Sequence, residues 1–352
     1  MQNNWWKILA CILLIYTLIV GLSTPIEPGL KSVSSLIISP ENTSIHVEGY
    51  NTHFLDQKES QSVTLRNDSG QWVCAEISKV ISNTELLVEI DYTPKVSQAM
   101  FRLFISNSLD GTMEYSDMNF KGAEVNAFIR ANSACSNFTG YSKDTFAFPY
   151  VRNLYESIRN LFFHVPMWFA MIVIMLLSAI YGILYLAKGE IKRDIQSETA
   201  ISVGLLLAFL GLATGSVWAK FTWSEHTAIW SLQGWWVDDP KLNGSAIATL
   251  IYCAYYVLKR SINDKISAAR IAAVYNIFAF VMFFVLIMIY PRIQGGLHPG
   301  MENNPAFSSY DLNNNLRLVF YPAIIGFILL SIWIWQIRSR IAWLKYKREY
   351  ED

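Results

Sequence analysis

The sequence predicts an α-helical polytopic membrane protein: six transmembrane helices with a β-sandwich-like domain inserted outside the membrane. Three observations lead there. Of the 352 residues, 53% are apolar, yet formal charge balances at zero, so composition carries no basic field for nucleic acid. The apolar residues gather in stretches of about membrane-span length. Between the first two stretches lies a long segment of short apolar–polar alternations broken by turn residues.

The spans are read at Trp5–Leu22, His164–Ala187, Ala200–Val217, Ser245–Leu258, Ile271–Tyr290 and Leu318–Ile337. The fourth reaches spanning length only if it begins near Leu242. Lys7 precedes the first span; Lys188, Lys192 and Arg193 follow the second. Lys259, Arg260, Lys265 and Arg270 separate the fourth from the fifth, and Arg338, Arg340, Lys345, Lys347 and Arg348 follow the sixth. With six crossings all of these fall on one side, which is therefore cytoplasmic. Both termini are then inside, and residues 24–163, the Trp-rich stretch after the third span and residues 291–317 lie outside. The first span reads as uncleaved; a signal peptide ending at Gly21-Leu22-Ser23 is the alternative, and it leaves the remaining topology unchanged. The domains are thus 1–23, a first helix; 24–150, the β domain; 151–340, the membrane domain; and 341–352, a cytoplasmic tail.

Strands in the β domain are expected at Ser34–Ile38, Thr43–Val47, Ser62–Leu65, Trp72–Ile77, Glu85–Tyr92 and Met100–Ile105. Its imidazoles, His46 and His53, lack the Cys, Asp or Glu spacing of a metal site. Cys74 and Cys135 are the pair for which a disulfide is plausible outside the cytoplasm; Cys11 and Cys253 read as buried residues within spans. There is no CxxC motif. Val151–Phe163 carries apolar residues at helical spacing and reads as an interfacial helix.

The chemistry-bearing residues fall at the outer edge of the membrane. His164 opens the second span, with Pro166 suiting the first turn of a helix, so the imidazole sits at or just before the N-cap and is kept neutral by the helix dipole. His298 lies in a glycine- and proline-flanked turn after the fifth span. Between them in the chain, Thr214–Gly244 carries Trp218, Trp223, Trp230, Trp235, Trp236 and His226. Two neutral imidazoles from separate segments can supply the two axial positions of haem iron, and Trp218, Trp223, Trp235 and Trp236 could cover the ring by stacking and edge contacts. Lys220, Lys241 and Arg292 are candidates for the propionates. The same residues also admit an aromatic belt at the headgroup layer, or a zinc site from His164, His226 and His298, which would not need so much tryptophan.

Trp218-Ala219-Lys220-Phe221-Thr222-Trp223 followed by Gly234-Trp235-Trp236-Val237-Asp238-Asp239-Pro240-Lys241-Leu242 resembles the WWD signature of the haem-handling membrane proteins of cytochrome c maturation, in its CcmC version. Phe163-His164-Val165-Pro166 with Trp168 resembles that family's first histidine segment, and Leu297-His298 its second. The likeness covers roughly residues 1–23 and 160–340. It implies haem b as a transient cargo with His164 and His298 as axial ligands to its iron. It further implies a cradle drawn from Trp218, Trp223, Trp235, Trp236, Asp239 and Lys241, outside the cytoplasmic membrane. It implies delivery to a periplasmic haem chaperone, CcmE, with the membrane components CcmA, CcmB and CcmD. Asp238 stands where the family usually has a third Trp, Ser224–Gln233 is an extra stretch, and the β domain replaces a short loop. Other readings are a CcsA-type synthase that attaches haem to apocytochrome c directly, and a non-haem receptor or scaffold. No nucleophile, acid–base pair or nucleotide motif points to a catalytic reaction.

Overall fold

The computed structural model describes the chain outside residues 1–3, 35–36, 39–43, 59, 68–71, 91–99, 121–139, 143–144, 225–230, 232, 299–311 and 351–352; it does not describe the side chains of 37–38, 67, 72–74, 90, 100–101 and 117–120. The chain forms two compact units, one of Met1–Thr24 with Glu156–Asp352 and one of Pro25–Tyr155.

The helical unit contains α1 (Trp5–Ser23), α2 (Leu161–Lys188), α3 (Ile191–Trp223), α4 (Pro240–Ser261), α5 (Lys265–Phe284), α6 (Tyr290–Gln294) and α7 (Asn314–Tyr350). The π-helical turn Val285–Ile289 joins α5 and α6 into one continuous rod. Five of these helical rods are long and apolar enough to cross a membrane. The expected sixth forms as α4, 22 residues long, but its Asn243, Gly244, Ser245 and Thr249 make it less apolar than the others. The two hydroxyls are satisfied within the helix: Ser245 Oγ donates to the Lys241 carbonyl (2.6 Å) and Thr249 Oγ1 to the Ser245 carbonyl (2.8 Å).

Three boundaries differ from expectation. A 3₁₀ turn, Tyr155–Asn160, leads straight into α2. The interfacial helix expected over Val151–Phe163 is therefore split between this turn and the start of α2. His164 becomes the fourth residue of α2 and Pro166 lies inside it, not in its first turn. Likewise α3 continues through Trp218 to Trp223, so the first part of the Trp-rich stretch is helix. A loop begins only at Ser224. Trp and Lys end the apolar run but are no obstacle to a helix.

Packing of α2 and α3 is direct. Gly189, with φ 70°, closes α2 by donating its N–H to the Tyr185 carbonyl (2.7 Å). In the interior, Asn276 of α5 donates to Ser197 Oγ of α3 (3.0 Å) and accepts from Ser178 Oγ of α2 (3.1 Å). At one end, Lys259 of α4 meets Asp194 (2.8 Å) and Glu198 (2.9 Å) of α3. The opposite end brings together the start of α2, the end of α3, the start of α4 and the segment after α6.

The other unit holds two small antiparallel sheets that share a long strand. β1 (Gly29–Val33), β3 (Ser44–Tyr50), β6 (Glu85–Ile90) and β5 (Trp72–Val80) form one. β5, β4 (Ser62–Asn67), β7 (Met100–Asn107) and β8 (Gly111–Phe120) form the other, with β2 (Ile37–Ile38) parallel to β8. Alternation works as expected along β3, where Ile45 and Val47 point inward. They join Leu30, Leu65, Val88, Leu103 and Ile105 in one core. β1 and β8 are additional to the strands expected, and of Ser34–Ile38 only the last two residues are strand. His53 is a structural clasp: its backbone N–H donates to Asp110 Oδ2 (2.8 Å) and its Nδ1 meets Asp110 Oδ1 (2.7 Å). His46 stands 3.6 Å from Glu85. The Cys74 side chain and all of Cys135 lie outside the described residues, as do His226 and Trp230.

Candidate functional site

His164 is buried on the first turn of α2, against the end of α3. Its partner is Thr214 Oγ1, 3.0 Å from Nδ1. The Thr214 hydroxyl has a single proton, and that proton is directed at the Leu210 and Gly211 carbonyls (2.8 and 3.1 Å). The hydroxyl oxygen therefore accepts, Nδ1 carries the ring proton, and the lone pair is left on Nε2. The ring lies edge-on to Trp168 (5.8 Å separates it from Trp218, 6.3 Å from Trp168, centroid to centroid). This close seat exists because α3 has glycines beneath it. A Cβ on Gly215 would stand 2.9 Å from His164 Cε1, and one on Gly211 would stand 2.8 Å from the Trp168 ring. Asn160, just before α2, adds a hydrogen bond to the Thr214 carbonyl (3.1 Å).

His298 is held differently. It follows α6 through Gly295 (φ 69°) and Gly296, and its Nδ1 lies 2.8 Å from Asp239 Oδ1, off the line of an ideal hydrogen bond. Asp239 is fully buried. It caps α4, accepting from the Lys241 and Leu242 amides (2.9 and 3.2 Å), while its other oxygen accepts from the Leu297 amide (2.9 Å). Burial pushes this carboxyl up, but the His298 contact and the Leu297 and Leu242 amides outweigh it, and the group is held well below the ordinary carboxylate range. An ionised Asp239 beside Nδ1 directs that nitrogen's N–H to the carboxylate, so Nε2 is the ring nitrogen left for a ligand. Trp223, the last residue of α3, packs edge-on to the His298 ring at 5.0 Å.

The two imidazoles are electrostatic neighbours, as are His164 and Lys241. Lys241 has Asp239 and Arg292 as its charged neighbours. Lys220 is not available to a ligand: it is buried, and its ammonium donates to the Gln233 (2.6 Å) and Ser231 (3.3 Å) carbonyls. Trp235 and Trp236 make no ring contact with either histidine among the described residues. Trp236 is exposed, and its Nε1 donates to Asn243 Oδ1 (3.0 Å), whose amide donates to Asp238 (2.8 Å). Asp238, in the place of a third tryptophan, thus helps fix Trp236. The extra stretch Ser224–Gln233 starts and ends at one point, with Ser224 Oγ donating to the Gly234 carbonyl (3.1 Å) and Lys220 gripping the returning strand.

The donor set suits haem. Two imidazoles present Nε2 lone pairs, and Trp168, Trp218 and Trp223 surround them. The buried Trp218 Nε1 and Thr222 Oγ1 have no hydrogen-bond partner among the described residues. Among the described residues no group of three or more His, Cys, Asp and Glu is arranged to hold a metal ion, and His226, the third member of the zinc alternative, lies outside them. Sequence reasoning singled out both histidines but not Thr214 and Gly215, which meet His164 only through the α2–α3 contact.

A family model described as heme exporter protein C (CcmC) matches residues 118–351, well over half of the chain. Among curated proteins, the heme exporter protein C of Paracoccus denitrificans is 24% identical over 184 residues, covering 52% of this chain and 72% of that protein. That of Haemophilus influenzae is 25% identical over 200 residues (54% and 73%). The Escherichia coli K12 protein is 24% identical over 190 residues (53% and 70%).

Proposed function

This chain belongs to the heme exporter protein C family, a family of transport and delivery proteins in cytochrome c maturation, and from that premise we propose that it binds haem b through His164 and His298 and hands it to a periplasmic haem chaperone. The observation that carries this is the matched state of the two imidazoles. Each has Nδ1 within 3.0 Å of an oxygen, Thr214 Oγ1 or Asp239 Oδ1, and in this reading each offers Nε2 as the axial ligand. Trp168, Trp218 and Trp223 offer ring edges and faces to the macrocycle. Lys241, with Arg292 behind it, offers charge to a propionate. Trp235, Trp236 and Asp239 complete the cradle: Asp239 acts through His298, and the exposed Trp236 forms its outer rim.

The site end of the bundle faces the periplasm in this reading. Lys188, Lys192, Lys259, Arg260 and Lys265 gather at the opposite end, as the bias of cytoplasmic segments toward cations favours. α4 counts as a sixth crossing. It runs from Asp239 at the site to Lys259 at the far end, about 30 Å at the helical rise, and the Asp194 and Glu198 carboxylates neutralise its terminal cation. Both termini are then cytoplasmic and the β domain is a periplasmic insertion in the first outer loop. The receiving chaperone is CcmE, and CcmA, CcmB and CcmD are the membrane partners.

The test is the absorption spectrum of the purified full chain, oxidised and reduced. It should be that of six-coordinate, low-spin, bis-imidazole haem. His164→Ala and His298→Ala should each abolish the low-spin form. Unchanged haem content and spectrum in both variants would overturn the assignment.

A further inference from the structure

Near the site, two contacts tie α4 to the rod and segment that lead to His298, one polar and one of close packing. The first is Asp239, which grips Leu297 and His298. The second lies one turn further into α4, at Gly244. A Cβ built on this buried glycine would overlap the Leu286 carbonyl oxygen outright and stand 3.1 Å from its carbon. The obstacle is backbone, so it has no rotamer with which to move aside.

The backbone at that point is also irregular. Leu286 lies in the π-helical turn Val285–Ile289. A π turn accommodates one residue more than an α turn, which changes the direction of everything after it by roughly 100° about the helix axis. What comes after it here is α6, the Gly295 turn and His298. The π turn therefore sets the face on which His298 emerges, and the contact with Gly244 sets how closely that rod approaches α4.

We propose that Gly244 and the π turn are a positioning joint for His298. The absent side chain at 244 seats α4 on the Leu286 carbonyl, and this seat holds the His298 segment within reach of Asp239 and across from His164. The inference rests on the reading of His298 as an iron ligand. It makes Gly244 a residue that acts on iron coordination without touching the cargo.

The experiment uses the full chain purified with its haem. Gly244→Ala should lose at least half of its low-spin signal and gain a five-coordinate, high-spin one, and millimolar imidazole should restore the low-spin form by filling the vacated position. Gly326→Ala is the packing control. It adds the same methyl to a tight helix contact, 3.0 Å from Leu14 of α1, away from the site, and should keep the wild-type spectrum. A Gly244→Ala protein with an unaltered low-spin spectrum would sink the proposal, as would an equal spectral change in Gly326→Ala. Should Gly244→Ala fail to accumulate, deletion of Met288 shortens the π turn without adding bulk. The same imidazole-reversible loss supports the joint, and a wild-type spectrum overturns it. A wild-type protein without bis-imidazole haem is a different result: it removes the functional reading itself.

Discussion

The two histidines proposed as ligands are held by unlike means. His164 is part of a long helix, buried, wedged over Gly215 and oriented by a hydroxyl. His298 is on a short glycine-flanked segment and is oriented by an ionised carboxylate that also caps a neighbouring helix. One imidazole is fixed by packing, which has no partial settings in a dense interior. The other is fixed by a charge contact at the joint of three segments. The proposed function, binding a cargo and then surrendering it, would be served by this asymmetry. In that reading the His164 side keeps the site in register and the His298 side is the one to withdraw.

The comparison can be broken most severely at Asp239. Asn is as good a helix cap, so Asp239→Asn can keep one oxygen on the Lys241 and Leu242 amides while it removes the charge facing His298 and the acceptor of the Leu297 amide. Loss of such a supporting group lowers metal affinity by about 10- to 100-fold, and the dissociation rate of bound haem, measured by transfer to an excess apoprotein acceptor, should rise accordingly. An unchanged rate would mean that the carboxylate does not hold the ligand. Gly215→Ala examines the packed side. The new methyl forces the His164 ring to shift by a few tenths of an ångström, an overpacking cost of about 1 kcal/mol. The expected result is a distorted low-spin spectrum with haem loss accelerated only several-fold; a faster loss than in Asp239→Asn would reverse the roles assigned to the two sides.

The smallest effect is expected in the β unit, at an exposed ion pair. The hydrogen bond from Lys31 (2.5 Å), with a second from Ser32, lowers the Glu48 carboxyl below its ordinary 4.5 against a modest desolvation cost. A depressed carboxylate stabilises the fold above its unfolded pKa, and the contribution fades as pH falls through the folded value. Because both partners are exposed, Glu48→Gln should cost under about 1 kcal/mol at neutral pH and nothing once Glu48 is protonated. Hydrogen exchange of the β1 and β3 amides in the full chain reads this, and the haem spectrum should stay as it was.

The sequence announces the apolar helices and both imidazoles because length, hydropathy and residue type are local properties. It obscures α4 for a physical reason. Gly244, Ser245 and Thr249 lower its hydropathy, yet they are the residues that let it pack closely and satisfy its own hydroxyls. The end of α3 was hidden in the same way: an apolar run stops at Val217, but the helix goes on, carrying Trp218 to one histidine and Trp223 to the other. Thr214 and Asp239 could not be assigned their roles from spacing. A hydroxyl between two helices and a carboxylate between a cap and a distant turn gain their meaning from residues 50 and 58 positions away. The π turn leaves no signature in Val285–Ile289 that distinguishes it from an ordinary apolar helix.

The closed neck at Ser224 and Gly234 bears on how this chain can change over evolutionary time. A hydroxyl–carbonyl clasp ties the two ends of the stretch together, and the Lys220 ammonium holds the returning end to α3. A change of length between two tied ends need not move the ends themselves. On the proposed function, the neck is where a lineage could vary the chain without disturbing the residues assigned to the cargo.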